Sequence, residues 1–205
     1  MLLLVSGATR YPRSADVGHL VVPRARNTVA RLNLQPGQWA MDNGCFNGLD
    51  VRAFMRMLED FHGQPGCRFV AVPDVVGDAA ATARRWRFWA PIVRSCGWPL
   101  AFVAQNGITA GMVPWDEFTT LFVGGDDTFK ESWQAASLCA YAKARGLAVH
   151  WGRVNSRRRY RLALESGADS LDGSGFSLWP DTNIPKAAQW KTDILTTPTL
   201  PLSLR

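Results

Sequence analysis

Ala168-Asp169-Ser170-Leu171-Asp172-Gly173-Ser174-Gly175-Phe176 reads as a short buried strand that ends in a carboxylate and opens into a loop of two glycines and a serine. Aspartate is depleted in strands, and a carboxylate is costly to bury without partners. Asp172 is therefore a candidate for chemistry. Far upstream, Trp39-Ala40-Met41-Asp42-Asn43-Gly44 repeats the pattern, an apolar strand ending in Asp and then Gly. Two carboxylates carried to the ends of two strands are the material for reaction at a sugar carbon.

Working outward, apolar runs of strand length alternate with segments of helical spacing. Strands are predicted over Leu2–Val5, Gln38–Met41, Arg68–Val72, Pro99–Ala104, Thr120–Val123, Leu147–His150 and Ala168–Asp172. A long loop is expected from Ser6 to His19. Helices are expected ending near Val29–Leu34, then over Leu49–His62, Asp78–Cys96, Gly111–Phe118 and Lys130–Arg145, and from an Asn155 or Ser156 cap to Ser166. Alternation at this rhythm means βα units and a parallel sheet. Seven such strands with polar residues at their carboxyl ends predict a compact (β/α)₈ TIM-like barrel over residues 1–205. Its eighth strand is expected near Asp193–Thr196, or is degenerate; a doubly wound parallel sheet is the alternative. The tail from Thr197 to Arg205 is expected to pack as an irregular strap.

Composition is that of a soluble globular protein, 47% hydrophobic and 20% charged. No apolar run approaches a membrane span, and Met1–Val5 lacks a basic leader and a cleavage site. A cytoplasmic location is expected, in the host cell if the chain is phage-encoded. Cys45, Cys67, Cys96 and Cys139 form no C-x-C or C-x-x-C pair, and only three histidines are present. Reduced thiols without a structural metal are the expectation. The net charge of +6 suits a polyanionic partner or simple solubility. Clustering favours the former: Arg10 with Arg13, Arg84 with Arg85 and Arg87, and Arg153 with the Arg157, Arg158, Arg159 and Arg161 block. Arginine is well shaped for bidentate phosphate contact.

In a barrel, Asp42, Asp74, Gln105, Gly124, Gly125, His150 and Asp172 all fall at the carboxyl ends of strands, the catalytic face. Each has a plainer use, since Asp after a strand often caps the next helix and Gly-Gly is often a turn. Their joint placement on separate strands favours a site.

Together these segments resemble the tRNA-guanine transglycosylases, and more closely their DNA-modifying phage relatives, the DpdA-like 7-deazaguanine transglycosylases. The resemblance spans residues 38 to 176. Asp42-Asn43-Gly44-Cys45-Phe46 is similar to the family's D-S-G-G-F segment, which implies acid–base catalysis by Asp42 and places Phe46 in the substrate site. Asp74 matches the aspartate that grips the base, Gln105 the glutamine of V-Q-G, and Gly124-Gly125 the pair whose backbone lies against the base. Asp172 falls where the family keeps its nucleophile. The runs His150 to Ser156 and Asp172 to Phe176 are closer to the phage branch. The C-x-C-x-x-C zinc motif of the tRNA enzymes and the Pro-Thr-Arg after their nucleophile are absent, which favours DNA over tRNA as substrate.

The resemblance implies exchange of guanine in DNA for a free 7-deazaguanine base, cyano- or aminomethyl-substituted, with no cofactor. Asp172 would form a covalent bond to C1′ and Asp42 would shuttle the proton, with the reverse assignment open. Asp74 would accept from the base N1–H and N2–H, and Gln105 with the Gly124 or Gly125 amide would donate to O6. Tyr11, Trp151 or Phe176 would stack on the flipped base. Arg10, Arg13, Arg153, Arg157 and Arg158 are the expected phosphate contacts. A tRNA-type exchange enzyme, a hydrolytic N-glycosidase and a non-catalytic nucleic-acid-binding subunit are the alternatives.

Overall fold

A computed structural model describes residues 1–7, 10–12, 14–24 and 34–197. Eight parallel strands close into a barrel in sequential order: β1 (Leu2–Ser6), β2 (Val17–Val21), β3 (Trp39–Met41), β4 (Cys67–Ala71), β5 (Leu100–Ala104), β6 (Thr120–Val123), β7 (Ala148–Trp151) and β8 (Ser170–Asp172). Closure is made by β8 pairing with β1, where Leu4 stands in register with Asp172. That pairing excludes the open doubly wound sheet.

Around the barrel lie α1 (Val51–Asp60), α2 (Ala79–Ser95), α3 (Asp127–Lys130), α4 (Trp133–Ala144), α5 (Arg157–Glu165), α6 (Ser174–Leu178) and α7 (Pro180–Thr196). Most begin on a side-chain cap. Asp50, Asp78, Asp126, Ser132 and Ser156 each accept an N–H from three residues on, stabilising each helix start by about 1 kcal/mol.

Strand alternation divides the core in two. Leu2, Leu4, Leu20, Ala40, Phe69, Ala71, Ala101, Val103 and Phe122 fill the barrel interior, so the barrel is packed rather than hollow. Their neighbours, among them Trp39, Val70, Phe102, Leu121, Val149 and Leu171, face the helices in a second buried layer with Phe54, Trp86 and Leu138.

Three expectations are corrected. The unrecognised strand is β2, which begins within the stretch expected to be loop and runs past its end at His19, while Asp193–Thr196 belongs to helix α7. Gly18 and His19 dilute the strand signal of Val17, Leu20 and Val21. Glycine is nonetheless required there, because a Cβ on Gly18 would stand 2.0 Å from the Gln38 carbonyl oxygen. The helix expected over 111–118 is only a 3₁₀ turn at Ala110–Met112, since Pro114 offers no N–H to extend it. The helix expected from Lys130 starts earlier and is split into α3 and α4 by the Ser132 cap. The cap of α5 is Ser156, one of the two residues expected there. The helix expected near 29–34 falls, apart from Leu34, outside the described residues, as does the tail beyond Thr197.

Candidate active site

The carboxyl ends of the strands surround a cavity of about 360 Å³, a size that suits a small-molecule site. Asp42, Asp74, Gln105, Gly124, Gly125, Arg153 and Asp172 line it, together with Phe46, Asn43 and Lys130. Residues scattered over more than 130 positions of chain are brought to one rim by the barrel topology alone.

Asp172 is buried and well held. Its Oδ1 accepts the Arg153 backbone N–H at 2.8 Å, and its Oδ2 lies 3.4 Å from His150 Nε2. His150 is fully buried inside the barrel, its Nδ1 2.8 Å from Ser170 Oγ and its ring packed between Phe69 and Phe122. His150, expected on the catalytic face with the other site residues, does not line the cavity and instead braces Asp172 from beneath. Arg153 has φ of 56°, a left-handed conformation that costs a non-glycine residue roughly 1 kcal/mol. That conformation accompanies the amide's bond to the carboxylate.

Asp42 is held far more loosely. Its side chain accepts the Gly44 N–H at a long 3.3 Å, and the Asn43 N–H also bears on the carboxyl. The side chain keeps a partial opening to the cavity, but protein atoms surround it closely. Burial first, then the negative charges of Asp172 and Asp74, push its pKa up to about 7. Both protonation states of Asp42 are thus populated at neutral pH.

Asp74 is tied into a buried network. Asn43 Nδ2 donates to its Oδ1 at 2.8 Å and to the Val72 carbonyl at 3.0 Å, while Gln105 Nε2 donates to its Oδ2 at 2.5 Å. Burial raises the Asp74 pKa, and the bonds from Asn43 and Gln105 pull it back. Gln105 Oε1 accepts from the Gly77 and Gly125 amides at 2.8 and 2.9 Å. The Gly124 amide donates to the Ala104 carbonyl at 2.9 Å. The expected role of these two glycines as donors to a base oxygen is therefore corrected, because both N–H groups are already engaged. Gly124 matters for space: a Cβ there would stand 2.7 Å from Gln105 Nε2.

Two participants, Asn43 and Lys130, escape a reading of the sequence, and a third, Arg153, is expected from it only as a phosphate contact. Asn43 links the end of β3 to Asp74. Lys130 is buried, and its Nζ donates to the Gly125 carbonyl at 2.8 Å. Burial, with Arg153 nearby, brings its pKa down to about 8 against the opposing pull of Asp172 and Asp127. Arg153 lays its guanidinium over the exposed Phe46 ring, 4.2 Å from the centroid, joining the loops after β3 and β7 across the mouth.

The remaining expected contacts are dispersed. Arg157 pairs with Asp193 at 3.7 Å and Arg158 with Glu131 at 2.8 Å, and neither lines the cavity. Arg10 is exposed on the loop after β1, and Arg13 lies outside the described residues. Trp151 and Phe176 are buried in the outer core, and Tyr11 stacks on His19; none of the three faces the cavity.

The cysteines are free thiols, and burial pushes Cys45, Cys67 and Cys139 up to about 12, away from thiolate chemistry. Among the described residues, no group of His, Cys, Asp or Glu is arranged to hold a metal ion, and no helix is long and apolar enough to cross a membrane. No family model matches the chain, and no curated protein matches it. The cavity combines a firmly hydrogen-bonded carboxylate, a carboxyl poised near neutral pH and a planar amide–carboxylate edge. That set is suited to a displacement at a polar heterocycle with coupled proton transfer.

Proposed function

We propose that this cavity exchanges a nucleobase, replacing guanine in DNA with a 7-deazaguanine derivative through a covalent bond between Asp172 and the deoxyribose C1′. The observation that supports this best is the unequal treatment of two carboxylates on one cavity. Asp172 receives an N–H and a histidine, as a nucleophile that must be held in aim requires. Asp42 is left desolvated, with a pKa of about 7, as a proton carrier requires.

In the first displacement an Asp172 oxygen attacks C1′ as the bond to guanine N9 breaks, and protonated Asp42 supplies the proton the leaving base takes up. The incoming base then returns its N9 proton to Asp42, attacks C1′ and releases Asp172. Two displacements at one carbon retain configuration, as in glycosidases whose carboxyl groups lie about 5–5.5 Å apart. The target nucleotide has to leave the duplex stack for C1′ to be reached. Asn43 and Gln105 each take one acceptor site on the Asp74 carboxyl, Cys45 and the Asp74 N–H also bear on it, and Gln105 keeps one amide hydrogen. This edge complements the N1–H, N2–H and O6 of guanine and leaves unpaired groups against adenine.

Incubating the protein with guanine-containing DNA and labelled guanine tests the reading, with tRNA as a parallel substrate. Label in DNA is the expected result. Label in tRNA alone makes this a tRNA enzyme, abasic sites without label mean hydrolysis, and binding without either means a non-catalytic subunit.

A further inference from the structure

The exchange chemistry leaves one cavity residue without a task. Lys130 is only 2% exposed, and lysines are seldom sequestered to that degree without a specific partner. Its one hydrogen bond among the described residues goes to the Gly125 carbonyl, so two of its three N–H donors are left over. It also belongs to the base-recognition wall. The Gly125 N–H bonds Gln105 Oε1, and Gln105 Nε2 bonds Asp74.

The consequence lies in what this wall will accept. The Gly125 carbonyl is an acceptor that would suit an ammonium group on a ligand, but Lys130 has taken it with an ammonium of the chain's own. A cationic ligand would meet a filled acceptor and a like charge, whereas an electron-rich ligand group would meet spare donors. Arg153, which also bears on Lys130, adds positive potential on that side, and Asp172 and Asp127 act against it.

We propose that Lys130 is the specificity-determining residue of the cavity, binding a hydrogen-bond acceptor on the incoming base and excluding a base that carries an ammonium. On the base-exchange reading, on which this rests, the preferred bases carry a nitrile, carboxamide or carboxylate on the five-membered ring, and an aminomethyl base is disfavoured. A DNA phosphate oxygen offers the same acceptor chemistry. The hydrogen-bond path from Lys130 to Asp74 favours the base, and titration without DNA separates the two sources.

The test is calorimetric titration of 7-cyano-, 7-carboxy- and 7-aminomethyl-7-deazaguanine and of guanine into the wild-type protein and Lys130→Met. The wild type is expected to bind the cyano and carboxy bases at least about tenfold more tightly than the aminomethyl base. Lys130→Met is expected to lose that preference, with the aminomethyl base gaining affinity relative to the cyano and carboxy bases. Should the variant not fold, the wild type alone decides. Its preference for the carboxy base is expected to shrink between pH 7 and pH 9 as Lys130 deprotonates, with Asp172 and Asp127 retaining its proton and Arg153 and Arg159 promoting its loss. Equal affinity for the three substituted bases, or a Lys130→Met defect confined to DNA binding, overturns the proposal. Failure of all four bases to bind the wild type overturns the base-exchange reading and this proposal with it.

Discussion

The two sides of the cavity treat their carboxylates in opposite ways. On the β7–β8 side, Asp172 is clamped by the Arg153 amide and backed by His150, which is itself fixed by Ser170 and two phenylalanine rings. On the β3 side, Asp42 has a long bond from Gly44 and two neighbouring negative charges. One side spends strain and buried polar groups on aim. The other leaves a carboxyl unsatisfied so that its proton is mobile. A cavity that merely bound a cation would have no reason for that asymmetry.

The contrast breaks most completely at Asp172. Asp172→Asn keeps the shape and removes the nucleophile, and label exchange is expected to fall by about 10³-fold or more; residual exchange near the wild-type level would reverse the two roles. Asp42→Asn is expected to cost about 10²–10⁴-fold, and it also acts on stability. The folded state binds the Asp42 proton up to about pH 7, whereas the unfolded chain releases it near 4. Stability contributed by this group therefore falls as pH rises between those values, by about 1–4 kcal/mol. Thermal unfolding of Asp42→Asn from pH 4 to 8 should show that slope flattened and the variant more stable at pH 8.

Asp74→Ala strips Asn43 and Gln105 of a shared partner. It is expected to cost about 1–3 kcal/mol in chemical denaturation and to cripple exchange while the barrel remains folded; wild-type exchange would remove Asp74 from the site. A finer comparison uses two substitutions at Arg153. Both lose the stack on Phe46, but Arg153→Gly relieves the left-handed backbone and Arg153→Ala does not. The glycine variant should be more stable than the alanine variant by about 1 kcal/mol. Equal stabilities would mean that the left-handed backbone carries no strain. Smallest is Arg158→Ala, whose exposed pair with Glu131 is worth less than about 1 kcal/mol. Its salt dependence of DNA binding should match the wild type, since a lost phosphate contact would reduce the slope by about 0.9.

Seven of the eight strands are legible in the sequence because each is an apolar run bounded by turn residues. β2 is not, because Gly18 serves a close approach to Gln38 that only the folded barrel reveals. Asp42 and Asp172 could be separated from the capping aspartates by position. Asp50, Asp78 and Asp126 stand three residues before the N–H they accept, whereas Asp42 directly follows a strand and Asp172 ends one; Asp74, like Asp126, stands three residues past a strand and differs in having no helix N–H to cap among the described residues. Lys130 had no such mark. A lysine opening a predicted helix reads as solvated, and only its five-residue spacing from Gly125, which lets Nζ reach back to that carbonyl, hinted otherwise. The arginine block shows the complementary limit: sequence shows the cations, and the acids that pair with Arg157, Arg158 and Arg159, namely Asp193, Glu131 and Asp127, lie on other elements.

Base exchange by this cavity requires one bond, between Asp172 and C1′. Denaturing the protein during turnover with guanine-containing DNA, digesting it and mapping the adduct by mass spectrometry observes that bond directly. A deoxyribose-linked peptide carrying the modification on Asp172, absent from Asp172→Asn, is the expected result. An adduct on Asp42, or label exchange with no adduct on either aspartate, would contradict it.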